Sequence, residues 1–166
     1  MIPQKEQVQH KIVSRTGIIE RVNDWRKKGE TIVFTNGCFD ILHPGHVELL
    51  IQASALGSKL IVGLNTDNSV KKLKGPDRPF NNEDSRALIL ASLLYIDAVV
   101  LFDEDTPLLL ISSITPDILV KGGDYNENEI VGADIVKAHG GKVVIVSLLE
   151  GYSTTLLGKK LSKGNS

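Results

Sequence analysis

Five short runs of consecutive apolar, mostly β-branched residues constrain this chain more than any other feature. They are ThrIleValPheThr at 31–35, LysLeuIleValGlyLeuAsn at 59–65, AlaValValLeuPhe at 98–102, IleLeuValLys at 118–121 and LysValValIleVal at 142–146. None alternates apolar with polar residues, so each predicts a strand covered on both faces. Helical patterns fall between and around them, over 17–28, 46–56, 83–95 and 127–139, the last closing at Gly140-Gly141. Thr106-Pro107 predicts a further helix start, with Thr as N-cap and Pro at the first helical position. A final helix is expected from Ser153 or Thr154 to about Leu161. Such alternation predicts an α/β fold: one Rossmann-like, doubly wound domain over 1–166 with a mainly parallel, five-stranded sheet. Residues 1–15 are expected to be a loose N-terminal extension. Ligands of such sheets bind beyond the carboxyl ends of the strands, at the point where strand order reverses, so the segments just after the strands are the ones to read.

Composition narrows the function classes. The 166 residues carry 19 Lys+Arg against 20 Asp+Glu, a formal charge of −1, which argues against a broad nucleic-acid-binding surface. Cys38 is the only cysteine, so no intrachain disulfide and no Cys/His zinc cluster is expected. No apolar run reaches the length of a membrane span, and the first residues have no signal-peptide core; a cytoplasmic protein without a membrane partner is the expectation.

After the first strand come ThrAsnGlyCysPheAspIleLeuHisProGlyHis, 35–46. Pro44 fixes the backbone, Gly45 clears a side chain from it, and His46 falls in the first turn of the next helix. Free N–H groups and the helix dipole favour an anion there, and two imidazoles, His43 and His46, can both donate to phosphate oxygens. A second cluster follows the second strand: Asp67, then Lys71, Lys72, Lys74, Asp77 and Arg78. Lys72 reads as a solvated surface lysine, whereas Lys71 and Lys74, three apart, can share a helical face. Lys121-Gly122-Gly123-Asp124-Tyr125 ends the fourth strand, pairing a cation with backbone open to close approach. Gly151-Tyr152-Ser153-Thr154-Thr155 follows the fifth, where Ser and Thr are ordinary N-caps. The spacing from Gly151 to Gly158-Lys159-Lys160 does not fit a P-loop, and no Gly-x-Gly-x-x-Gly is present.

Gly37, Phe39 and Asp40 followed by HisProGlyHis resemble the signature of the cytidylyltransferase-like nucleotidyltransferases. LysLysLeuLysGlyProAspArgPro, LeuValLysGlyGlyAspTyr and GlyTyrSerThrThr extend the resemblance, over about 15–161, to the branch that makes ADP-heptose. That branch occurs alone or fused to a sugar kinase, and this chain resembles the stand-alone form. The resemblance implies transfer of AMP from ATP, with Mg²⁺, to D-glycero-β-D-manno-heptose 1-phosphate, releasing pyrophosphate. It implies His43, His46 and Lys74 as catalytic residues. Thr35, Asn36, Gly37, Phe39, Gly45, Lys121, Gly122, Asp124, Ser153, Thr154 and Thr155 would hold ATP. Asp40, Asp67, Lys71, Arg78 and Arg86 would serve the sugar phosphate, with Asp40 equally suited to orienting a turn and surface pairing with Glu83 the other role open to Arg86. No residue is expected to be a direct metal ligand. A phosphate monoester is already ionised near neutral pH, so this chemistry needs charge placement more than a strong base. Two alternatives remain at this level: a CTP-using, glycerol-3-phosphate cytidylyltransferase-like enzyme, and a nucleotide-binding module without turnover. Residues 87–96 are apolar nearly all round, and the family commonly dimerises, so a homodimer through this helix is expected.

Overall fold

The computed structural model describes residues 4–147. Six strands form one wholly parallel sheet: β1 (Ile12–Val13), β2 (Ile32–Gly37), β3 (Lys59–Asn65), β4 (Ala98–Phe102), β5 (Ile118–Gly122) and β6 (Lys142–Val146), in the order β1-β4-β3-β2-β5-β6. The doubly wound architecture is as expected, but with six strands where five were predicted. The additional one, β1, lies in the stretch expected to be loose. It is only two residues long and pairs Ile12 with Val99 and Val13 with Val100, too short to carry a periodic signature of its own. A short helix, α1 (Gln4–Gln9), precedes it.

The remaining helices are α2 (Arg15–Lys27), α3 (Pro44–Ser54), α4 (Asp67–Lys74), α5 (Glu83–Ser92), α6 (Leu108–Ile114) and α7 (Ala133–Ala138). α4 has no counterpart among the predicted helices. The predicted helix over 127–139 is divided into a 3₁₀ turn at Glu127–Glu129 and α7, because Gly132 adopts φ 84° where a Cβ would meet Ile111 at 2.9 Å. Pro107 occupies the N-cap of α6 and not its first turn. The predicted last helix lies outside the described residues.

Alternate residues of each strand enter two separate cores. Val33, Leu60, Val62, Leu64, Val99 and Val120 pack beneath α3 and α5. Ile32, Phe34, Ile61, Val100 and Leu119 pack against α2, α6 and α7 on the other face. This two-sided burial explains the unbroken apolar runs. The chain leaves β2 for β3 and β4 on one side and returns to β5 and β6 on the other. The reversal therefore falls between β2 and β5, and the ends of these two strands carry Asn36-Gly37 and Lys121-Gly122.

Candidate active site

At this reversal Lys121 Nζ donates to Asn36 Oδ1 at 3.4 Å, spanning the ends of the two strands. α3 starts close beyond β2. His43 is its N-cap, with extended backbone, and Pro44 occupies the first turn. The His43 Nδ1 accepts the His46 N–H in a long contact of 3.4 Å. Acceptance at Nδ1 assigns the proton of a neutral His43 ring to Nε2, which leaves an N–H donor for a ligand. Gly45 is buried in the same turn. The two imidazoles stack, centroids 3.7 Å apart and planes 20° apart, and the Phe39 ring lies tilted 5.1 Å from His46.

Phe39 reaches that position through a left-handed backbone, φ 42°, unusual for a bulky residue. Its ring covers Gly37, where a Cβ would stand 3.0 Å from Phe39 Cε2. The glycine and the aromatic residue of GlyCysPheAsp are thus two halves of one arrangement: the turn folds the ring back over the strand end, and only a residue without a side chain leaves room for it.

Burial holds the His46 imidazole at a pKa of about 4, with His43 and Lys74 adding repulsion and the Ile41 carbonyl opposing them. Its Nδ1 is buried and has no well-formed hydrogen bond. His43 is lowered as well, by burial first and then by Lys74. Burial also lowers Lys121 and raises the Cys38 thiol. At neutral pH the free site therefore holds two uncharged rings among lysines.

Asn36, Gly37, Cys38, Phe39, His46, Leu49, Lys74, Lys121, Gly122 and Tyr125 line a cleft of about 200 Å³. Asn36, Lys121 and Tyr125 also border a second hollow of about 190 Å³, completed by Pro107, Leu119, Glu129, Ile130 and Val131. The fold thus brings together Asn36, Gly37, Phe39, His46, Lys74, Lys121 and Gly122 from three separate sequence segments, with His43 stacked alongside. Lys71 is exposed on α4 and Asp124 is exposed beyond β5, both away from the cleft lining. Thr35 is fully buried, and its hydroxyl has no hydrogen-bond partner. Ser153, Thr154 and Thr155 lie outside the described residues. Cys38, Leu49 and Tyr125 join the lining without having been assigned roles in advance. Only Tyr125 carried a signal, as an aromatic residue closing the LysGlyGlyAspTyr turn.

The residues expected at the sugar phosphate behave differently. Asp40 is buried; its Oδ1 accepts the N–H groups of Phe80 and Asn81 at 2.7 and 3.1 Å. Its Oδ2 lies 2.7 Å from Arg78 Nη2, an ion pair whose alignment is not that of a good hydrogen bond. Arg78 also sits over the Phe80 ring, 4.3 Å from the centroid. Arg86 is 1% exposed and pairs with Asp67 at 2.8 Å. Glu83, the surface partner open to Arg86 in the sequence, accepts the Asp67 N–H instead. These charges are engaged within the protein, tying the loop before α5 to the ends of β2 and β3.

A parallel sheet with its cleft at the strand-order reversal, and paired imidazoles on the helix that follows, define a doubly wound, Rossmann-like α/β domain with its candidate site at the switch point. The sequence profile of the cytidylyltransferase-like family matches residues 34–156, and the chain belongs to that family. Among curated relatives, the bifunctional protein HldE of Gluconobacter oxydans is 58% identical over 82% of this chain and 28% of its own length. HldE of Paramagnetospirillum magneticum is 55% identical over 92% of this chain and 31% of its own. The chain thus spans less than a third of these relatives. The crystal structure of the lipopolysaccharide core biosynthesis protein from Thermoplasma volcanium superposes with TM-score 0.59 and 28% identity, over 75% of this chain and 99% of that one. Pantoate-beta-alanine ligase from Francisella tularensis, complexed with beta-gamma ATP and beta-alanine, superposes with TM-score 0.54 over 93% of this chain and 78% of that one. At 15% identity that is a likeness of fold alone. Among the described residues, no helix is long and apolar enough to cross a membrane.

Proposed function

We propose that this chain is an adenylyltransferase that moves AMP from ATP to D-glycero-β-D-manno-heptose 1-phosphate. An oxygen of the sugar phosphate attacks the α-phosphorus, the bond to the β-phosphate oxygen breaks, and pyrophosphate leaves. ADP-heptose is the product, a precursor for lipopolysaccharide core. The observation that carries this reading is the His46 ring, stacked on His43 at the start of α3 and sharing one cleft with Lys74 and Lys121. Relatives named as bifunctional HldE proteins and as a lipopolysaccharide core biosynthesis protein support the substrate class.

The acceptor phosphate is ionised near neutral pH, so no residue has to deprotonate it. The chain's contribution is to place donors and cations where charge builds on the α-phosphorus. His43 and His46 supply ring N–H groups, Lys74 and Lys121 supply charge, and the positive end of the α3 dipole adds to them. The triphosphate occupies the cleft, with Asn36, Gly37 and Gly122 allowing backbone contact. The nucleoside lies toward the neighbouring hollow, whose Leu119, Ile130 and Val131 suit a base. The acceptor phosphate approaches from the α4 side, past Lys71 and Lys74. Mg²⁺ is taken as part of the substrate, carried on the triphosphate.

The protein works as a homodimer in this reading. Leu88, Ile89, Leu94 and Tyr95 project from α5 and the segment after it, and Leu94 is 87% exposed. A single 18.1 kDa species in light scattering at micromolar concentration would remove the dimer. For the reaction, pyrophosphate release is expected only with ATP, Mg²⁺ and the heptose phosphate together. His46→Ala should reduce turnover about 100-fold or more while the protein stays folded. Near-normal turnover in that variant refutes the mechanism. Faster release from CTP and glycerol 3-phosphate in a substrate panel replaces the substrate assignment.

A further inference from the structure

The guanidinium of Arg86 meets an unusual set of partners. Its Nε donates to the Asn81 carbonyl at 2.9 Å. Its Nη1 donates to two carbonyls, Cys38 at 2.7 Å and Asn65 at 2.8 Å, and Nη2 donates to Asp67 Oδ1 at 2.8 Å. Four of its five N–H groups are accounted for within the protein. Cys38 lies just beyond the end of β2 and Asn65 is the last residue of β3, so one guanidinium nitrogen joins the carboxyl ends of two neighbouring strands. Only a planar fork spans both while also reaching a carboxylate; an ammonium does not.

The Cys38 carbonyl belongs to the peptide that enters Phe39. Rotation of that peptide about the N–Cα bond of Phe39 is the φ angle itself, which stands at 42°. A donor fixed on the Cys38 oxygen therefore holds the left-handed conformation directly. That conformation places the Phe39 ring over Gly37 and against His46, which in turn stacks on His43. A continuous chain of contacts runs from a residue of α5 to an imidazole of α3.

We infer that Arg86 is a positioning residue: by holding the Cys38 peptide it keeps Phe39 in the left-handed turn that braces His46, and it does not bind the acceptor phosphate. The inference rests on the reaction proposed above for its kinetic meaning, while its geometric part is measurable without turnover. Arg86→Lys keeps the charge and removes the fork. It should lower kcat about 100-fold, with KM for the sugar phosphate changed less than about threefold, as expected when a misplaced group and not a lost ligand limits the rate. In the same variant the His46 ring, followed by NMR of labelled imidazole, should titrate higher than its starting value of about 4 because the brace that shields it is loosened. Phe39→Leu should give the same two changes, and the double variant should be little worse than either single one, since both act on one path.

A KM for the sugar phosphate raised tenfold or more with kcat unchanged overturns the inference in favour of ligand binding. Unchanged His46 titration in a folded Arg86→Lys protein overturns it too. Should that variant not fold, Phe39→Leu carries the test, and unchanged His46 titration there is equally fatal. A wild-type protein that releases no pyrophosphate would remove the reaction, and the His46 titration would still decide whether Arg86 sets the ring.

Discussion

The low basicity of His46 makes the protein acid-sensitive in a way that can be calculated and measured. An unfolded histidine titrates near 6.5, and the folded His46 near 4. The unfolded chain therefore binds more protons between those values, and stability must fall as pH drops through that window. It is fully present above pH 6.5 and is lost down to about pH 4. At roughly 1.4 kcal/mol per unit, the contribution lost between pH 7.5 and pH 4.5 is at most about 2.5 kcal/mol. Partial solvent access to the ring brings the expected figure closer to 1–2 kcal/mol, by analogy with screened surface charges. His43 is lowered in the same direction and adds to the slope. The assay is urea unfolding of wild type and His46→Gln at both pH values. The variant should show the shallower decline, with the difference between the two proteins close to the figure above. Lys74→Ala supplies a control: removing that cation should raise the His46 titration part of the way, because burial, the larger cause, remains. Parallel pH dependence of wild type and His46→Gln, or a His46 that titrates at 6.5 in the free protein, refutes the reasoning.

Two substitutions test the frame around the imidazoles. Gly37→Ala places a Cβ 3.0 Å from the Phe39 ring and should cost about 1–3 kcal/mol in urea unfolding, with turnover falling further than stability predicts. Asp40→Ala removes the acceptor for the Phe80 and Asn81 N–H groups and leaves Arg78, 16% exposed, without its carboxylate. A loss of about 3 kcal/mol is expected. A loss below about 1 kcal/mol, the range of an exposed pair, would show that the loop before α5 is held by other contacts.

The fold was legible in the sequence wherever a segment is buried on both faces. β2, β3, β4 and β5 carry unbroken apolar runs because each packs into both cores, whereas β6 carries such a run although Ile145 is exposed and only Val146 is buried. β1 was invisible because two residues have no period, and its place depends on β4 being already present as a template. α4 was missing from the predicted helices because of its polarity: Ser69 and Val70 are its only buried residues, so it presents no apolar stripe, although the spacing of Lys71 and Lys74 allowed a shared helical face. At the site, the histidines, Gly37 and Lys121 stood out because their chemistry sits beside strand ends. The standing of Arg86 did not, since no spacing rule reveals that an arginine on the next helix meets two carbonyls from two different strands. Asp40 was undecided for the same reason; its partners at 78–81 are about 40 residues away.

The arrangement of charge in the free cleft has a physical logic of its own. Lysines beside a phosphate site repel one another and any protonated histidine when no ligand is present. Here the conflict is relieved by keeping both imidazoles neutral, through burial and through Lys74 itself. A neutral imidazole still offers one N–H donor, so the site stays able to bind an anion without holding an excess of buried charge. When a polyanion enters, the balance of the field at His46 reverses: the repulsion from Lys74 is offset, and negative charge favours the protonated ring. The Ile41 carbonyl, already working against the depressed pKa, is placed to support that form. In the reaction proposed above, proton uptake and phosphate binding would then reinforce one another. Positive charge on the ring appears when negative charge is present to use it, which is the requirement for stabilising a transition state more than the empty site.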